Sequence, residues 1–435
     1  MRIFEALESE VRSYSRLFPT LFERAIGSRL FAESGREYVD FFSGAGTVNY
    51  GHNNPVLKEC LLEYLRRDGI THSLDMATTA KREFLERFHR VILEPRGLQY
   101  KVQFPGPTGT NAVEAALKLA RKVTGRSHVL YFHNAYHGLT LGALAVTGSS
   151  SKRKAAGVPL LHTTAIPFEG DLGEMDTIEH LRSLLENPAS GVDLPAALIL
   201  ETVQAEGGIR AASPGWLQRI AELLRRHGIL LIVDDIQVGC GRTGPFFSFE
   251  PAGVTPDIVC LSKSISGFGL PMSLVLIRPH LDVWAPGEHN GTFRGNNLAF
   301  VTGAAALDYW RDDSFSREIS HKADLVRGRL GEMVARHPQV CGPVRGRGLI
   351  QGLHLMPDGL ATEVARAAFQ RGLLIEPVGP KDEVLKILPP LVIEEAELRQ
   401  GLDILEEALA DAAGDVPVSA GARETVSHPA GPVPG

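Results

Sequence analysis

The stretch "DIVCLSKSIS", residues 257–266, ends a run of four apolar residues on a single lysine, Lys263, set between two serines. The apolar run reads as a short buried strand. A lysine at a strand end is ordinarily a solvated surface group. It is also the one side chain whose amine a confined apolar site can deprotonate and use as a nucleophile. Asp234 poses a similar choice. It follows "LLIV" directly, at the carboxyl end of another expected strand, the edge where open α/β sheets bind ligands. There a carboxylate either caps structure or faces a bound cation.

Three further groups carry chemistry. "FPGPTGTNAVEAALKLAR", 104–121, runs a small turn into a helix. Gly109 allows close backbone approach, Thr110 offers a hydroxyl and an amide, and the helix N-terminus favours an anion. The plainer reading is a Thr or Asn helix cap, and without G-K-[ST] the turn is no nucleoside-triphosphate loop. "HNAYHG", 133–138, follows a strand and offers Tyr136 as an aromatic wall, with His137 beside it. His133 and His137 stand four apart, but no carboxylate or cysteine nearby completes a metal site. "GCGRTG", 239–244, matches the dinucleotide fingerprint G-x-G-x-x-G. That fingerprint must close a strand and open a helix. Here "DDIQV" intervenes and "PFFSFEP" follows, so a nicotinamide-dependent dehydrogenase is a distant alternative.

One ligand unites these groups. It needs a phosphate seat (Gly109, Thr110), an aromatic platform (Tyr136), an anion for a protonated ring nitrogen (Asp234) and a lysine to bond its aldehyde (Lys263). That ligand is pyridoxal 5'-phosphate, PLP.

The elements that must position these groups alternate from about 61 to 305. "NAVEAALKLARKVTG" reads as a helix stopped by Gly125. "PGWLQRIAELLRRHG" is a second helix, with Pro214 near its start and Gly228 at its end. "HVLYFH", "AALILETV", "ILLIVDD" and "DIVCLSKS" read as strands. Such strand–helix–strand units predict a mostly parallel sheet flanked by helices. Residues 1–60 form a helix, short strands and a glycine-rich turn, and 306–411 a smaller α+β region. The stretch 412–435, rich in Ala, Gly and Pro, reads as a disordered tail.

The bulk numbers fit this picture. With 435 residues and 44% hydrophobic composition the chain can build a large core, in two expected domains. A net charge of -6 gives no basic signal for nucleic acid. Cys60, Cys240, Cys260 and Cys341 form no CxxC pair, so neither a zinc site nor a disulfide framework is suggested. Glu5, Glu8 and Glu10 are wrong for a signal or transit peptide, and apolar runs such as "GILLIV" are too short to span a bilayer. A cytoplasmic location is expected, and the "NGT" sequon at 290–292 carries little weight.

With these residues in view, the sequence resembles the class III, ω-type, PLP-dependent aminotransferases of fold type I over about 15–410. Four long stretches carry a narrower likeness to diaminobutyrate–2-oxoglutarate transaminases: "DFFSGAGTVNYGHNNPVLKE", "DGITHSLDMATTAKREFLE", "YKVQFPGPTGTNAVEAALKLARKVTGR" and "EHNGTFRGNNLAF". The resemblance implies an α/β large domain, 61–305, on a mostly parallel seven-stranded sheet, with a smaller α+β domain from both chain ends, 1–60 and 306–411. It implies that Lys263 bonds the cofactor, Asp234 meets its ring nitrogen and Gln237 its ring hydroxyl. Ile236 would pack opposite Tyr136, with His137 among the cofactor contacts and Gly109 and Thr110 at the phosphate. Thr292 would reach the phosphate of a neighbouring subunit, making the site a property of a homodimer. Glu206 matches a glutamate that gates a carboxylate-binding arginine.

Two positions depart from the pattern. Lys386 stands where many members have arginine, and Leu139 follows "HG" where many ω-aminotransferases have arginine. A lysine cannot make the bidentate fork, so Arg210 and Arg294 are further candidates for the donor's carboxylate. The implied reaction is L-glutamate plus L-aspartate 4-semialdehyde giving 2-oxoglutarate and L-2,4-diaminobutyrate, as in ectoine biosynthesis. Ornithine, GABA or putrescine are alternative amino donors. A non-catalytic member of the fold is disfavoured because Lys263 and Asp234 are both present.

Overall fold

The computed structural model describes residues 2–414. Its centre is a seven-stranded sheet in the order Lys101–Gln103, Leu274–Ile277, Ile258–Leu261, Leu230–Asp234, Ala197–Leu200, Val129–Phe132 and Thr163–Ile166. Leu274–Ile277 runs antiparallel to both its neighbours, and the remaining pairs are parallel. Ala197–Leu200, Ile258–Leu261 and Leu274–Ile277 are buried along their whole length. That is why they read as unbroken apolar runs rather than alternating ones.

The helices that cover the sheet start and stop where the sequence signals them. Gly109–Thr124 begins at Thr108, which forms a capping box with Asn111, and ends at Gly125 in the left-handed region at φ 67°. Its apolar stripe, Val113, Ala116, Leu117 and Ala120, is fully buried. Pro214–Arg226 is capped by Ser213, whose side chain accepts from the Trp216 amide.

The two ends of the chain meet in one sheet. Phe22–Ile26, Arg29–Ala32 and Glu37–Asp40 pair in sequence, and Leu373–Leu374 adds a parallel strand on Val39 and Asp40. A separate antiparallel sheet orders Cys341–Arg347, Ile350–Leu355, Val384–Ile387 and Glu376–Val378. The final helix, Glu395–Gly414, packs its leucines inward and carries residues 412–414 with it. The expectation of a disordered tail therefore fails for residues 412–414, and the rest of it lies outside the described residues.

"GCGRTG" opens no helix. It forms turns whose Arg242 is fully buried, donating to the Leu349 carbonyl at 2.9 Å, the Pro389 carbonyl at 2.5 Å and Asn49 Oδ1 at 2.6 Å. The segment pins the large sheet to the C-terminal region.

Candidate active site

Parallel strands deliver their C-terminal residues to one edge of a sheet. Here Leu230–Asp234 ends on Asp234, Ala197–Leu200 is followed by Glu201, and Ile258–Leu261 leads within two residues to Lys263. All three line one cavity of about 330 Å³, together with Thr108, Gly109, Thr110, Tyr136, His137, Gly138, Leu139, Glu206, Ile236, Gln237 and Val238. The sheet edge thus gathers groups that lie up to 155 positions apart in the chain, from Thr108 to Lys263.

Lys263 opens a 3-10 turn with φ 52°, a left-handed conformation that a side-chain-bearing residue rarely adopts. Burial lowers its amine to about 8. The nearby Lys386 charge acts the same way, against the opposing pull of Glu206 and Asp234. A fraction of the amine is therefore neutral near physiological pH and able to act as nucleophile or base.

Asp234 is buried, and its Oδ2 lies 2.7 Å from His137 Nδ1. An ionised carboxylate only accepts, so His137 carries its proton on Nδ1. Asp234 Oδ1 accepts from the Ile236 amide at 3.1 Å. These two bonds fix the carboxylate's plane. Glu201 takes the Tyr136 amide at 3.2 Å, and burial pushes its carboxyl well above the usual carboxylate range. Immediately behind, Asp235 is buried and raised to about 7, bonded through Ser248 rather than to the cavity.

The opposite wall is the helix N-terminus at Gly109. A side chain there would press Ile236, with its Cβ only 3.0 Å from Ile236 Cδ1. Gly138, at φ 127°, leaves room for Thr110, whose Oγ1 a Cβ would approach to 2.5 Å. Both glycines keep a cradle of backbone amides open. The donor set fits PLP: amides and hydroxyls for a phosphate, a carboxylate for a protonated ring nitrogen, Tyr136 and Ile236 as flat walls, and Lys263 for an aldehyde. Gln237 also lines the cavity, its Nε2 tied to the Ala45 carbonyl at 2.9 Å.

Farther out, Glu206 Oε1 accepts from Lys386 Nζ at 2.7 Å, and Glu376 Oε1 lies 2.7 Å from the same nitrogen. Lys386 is wholly buried, and Glu376 nearly so. Burial alone would raise Glu206, but the Lys386 ammonium outweighs it and holds the carboxyl below the usual carboxylate range. For Glu376 burial wins and its carboxyl is raised. Lys386, despite its burial, is raised by the two carboxylates.

The two candidate arginines are elsewhere. Arg210 is bound by Asp171 and by the Glu169 carbonyl at 3.0 Å. Arg294 lines a different cavity, with Trp284, His289 and Asp282. Neither is among the residues that line the Lys263 cavity. Thr292 is exposed and outside the cavity too; its carbonyl lies 3.0 Å from His72 Nε2.

Some cavity neighbours escaped sequence reasoning. Glu201 could have been found, since it ends a strand as Asp234 does. Tyr14 gave no signal. It lies on a short N-terminal helix and is half exposed, yet Glu376, Glu206 and Lys386 lie close enough to act on its phenol. Glu376 pairs in register with Lys386 across two antiparallel strands, a relation that only the sheet creates.

A sequence profile described as "Aminotransferase class-III" matches residues 11–409. The chain belongs to the class III aminotransferases. It is a transaminase that uses PLP. A diaminobutyrate–2-oxoglutarate transaminase from Halalkalibacterium halodurans is 57% identical over 410 residues, 94% of this chain and 96% of that protein. A protein of the same name from Bordetella parapertussis is 58% identical over 415 residues, 95% of each. An ornithine aminotransferase from Toxoplasma gondii ME49, 26% identical, superposes with a TM-score of 0.84 and 95% of each chain covered. A further Toxoplasma gondii ornithine aminotransferase structure, 27% identical with a TM-score of 0.84, covers 95% of this chain and 94% of its own, and has PLP at partial occupancy in its active site.

Proposed function

We propose that this class III aminotransferase moves the amino group of L-glutamate to L-aspartate 4-semialdehyde, giving 2-oxoglutarate and L-2,4-diaminobutyrate. The observation that carries this reading is the identity of 57–58% to diaminobutyrate–2-oxoglutarate transaminases over nearly the whole of each chain. PLP, when bound, supplies an aldehyde and a ring that accepts electrons from the donor's reacting carbon.

The chain's own residues do the rest. The amides at Gly109 and Thr110 hold the phosphate at a helix N-terminus. Asp234 would keep the ring nitrogen protonated, its carboxylate oriented by His137. Tyr136 and Ile236 would confine the ring, and Gln237 would meet its hydroxyl. Lys263 would hold the aldehyde, and its Nζ is the base that would shuttle the proton at the donor's reacting carbon. The lowered basicity of Lys263 suits that shuttle, because a poised base must both take and give a proton near neutral pH.

The enzyme acts as a homodimer in this reading, with Thr292 reaching the partner's phosphate. Its exposure and its place outside this chain's own cavity support that role. Residues 61–305 form the cofactor domain, and 1–60 with 306–411 the smaller one. We place the enzyme in the cytoplasm, with diaminobutyrate feeding a product such as ectoine. No helix among the described residues is long and apolar enough to cross a membrane.

The test is an acceptor and donor screen with purified protein. Diaminobutyrate with 2-oxoglutarate should exceed ornithine, GABA and putrescine by at least about tenfold in kcat/KM, a difference of roughly 1.4 kcal/mol at the transition state. A higher value for any of those three would replace diaminobutyrate as the substrate.

A further inference from the structure

Lys386 sits between two carboxylates, and one of them has no part in lining the cavity. Its ammonium is 2.7 Å from Glu206 and 2.7 Å from Glu376. The Glu206 side chain is 27% exposed and lines the cavity, whereas Glu376 is 7% and Lys386 0% exposed. Of the two carboxylates only Glu206 has space to leave. The Lys386 ammonium is thus shared, with one carboxylate packed behind it and the other at the cavity wall.

The proposed reaction, on which this inference rests, gives a use to a carboxylate that can leave. Glutamate reacts at a carbon that bears a carboxylate. Diaminobutyrate reacts at its terminal CH2, which bears none. Only glutamate therefore brings a negative group to the neighbourhood of the reacting carbon, where Glu206 would repel it. We propose that Glu376 is a positioning residue that holds Lys386 charged and in place while Glu206 yields to the glutamate carboxylate, and that it thereby balances the two half-reactions. Removing one partner from a simple buried pair strands a charge at a cost of several kcal/mol. With Glu376 behind it, Lys386 is never stranded, so Glu206 can move.

Single-turnover half-reactions of the PLP-loaded enzyme, followed by the cofactor's absorbance, test this. Glu376→Gln leaves Glu206 and Lys386 as an isolated pair that resists opening. The apparent Kd for glutamate should rise about tenfold or more, and that for diaminobutyrate by less than about twofold. Glu376→Asp, which keeps the charge, should recover most of the glutamate affinity. Equal losses with both substrates, or none with glutamate, would overturn the inference.

If Glu376→Gln does not accumulate as folded protein, Glu206→Gln decides. Glu376 alone should then sustain Lys386, with Tm within about 4 °C of wild type and glutamate bound at least as tightly. A larger fall in Tm, or weaker glutamate binding, would overturn the inference. Failure of the wild-type enzyme to turn over diaminobutyrate would sink the proposed reaction instead. A wild type active on both substrates, with Glu376→Gln slowing both alike, would sink only the role of Glu376.

Discussion

Lys263 is held in a left-handed turn at the end of a buried strand, and its amine is lowered to about 8 chiefly by burial. The sign is direct. A lysine is nucleophilic only when neutral, so capture of PLP by the apoenzyme should accelerate as pH rises and level off above about 8. An exposed lysine would not level off until near 10.4. Stopped-flow absorbance during reconstitution reads this, and a rate still climbing steeply at pH 10 would contradict the lowered value. Asp234 is fixed by two hydrogen bonds, from His137 and from the Ile236 amide. Asp234→Asn keeps the shape but loses the charge. It should slow the glutamate half-reaction by about a hundredfold or more, equivalent to roughly 2.7 kcal/mol, while circular dichroism stays unchanged. A near-wild-type rate would mean that another group holds the ring proton.

At the scale of elements, the site is made by where strands stop and one helix starts. The sheet edge gives Asp234, Glu201 and Lys263, and the helix Gly109–Thr124 gives amides from its first turn. At Gly109 the helix lies close against Ile236, in the loop that follows the strand end. In Gly109→Ala the new Cβ would meet Ile236 Cδ1 at 3.0 Å and Cγ2 at 3.1 Å, so Ile236 must shift from its place on the cavity wall. PLP affinity should fall by about tenfold, roughly 1.4 kcal/mol, with little change in the Tm of the apoprotein. Unchanged cofactor affinity by equilibrium titration would show that Ile236 yields freely.

The whole molecule brings the chain ends onto one sheet and sets Lys386, Glu376 and Tyr14 beside the cavity. It leaves the loop around Thr292 exposed and outside this chain's own cavity. If that loop completes a partner's site, Thr292→Ala should weaken PLP binding without dissociating the subunits. One charge-assisted hydrogen bond is worth about 1.5–3 kcal/mol, so the PLP Kd should rise by about ten- to a hundredfold. Light scattering should still report a dimer, since obligate interfaces do not hang on one hydroxyl. A fully active monomer would refute the shared site.

What the sequence determined by itself was local chemistry and pattern. "DIVCLSKS" and "ILLIVDD" are apolar because strands buried on both faces must be, and Lys263 and Asp234 stand out as the polar groups that end them. "GPTGTN" announces a helix start because caps and tight turns demand those residue types. The fate of "GCGRTG" was also legible, since nothing after it can begin a helix. Only the tertiary structure decided which charges meet. Arg210 and Arg294 look as suited to a carboxylate as any arginine until the fold sets one on Asp171 and the other in a separate cavity. Glu376 looks like an ordinary strand residue until antiparallel pairing lays it against Lys386. Contacts of this kind depend on register and on packing between distant segments, and no local pattern encodes the distance between two side chains that a sheet brings together.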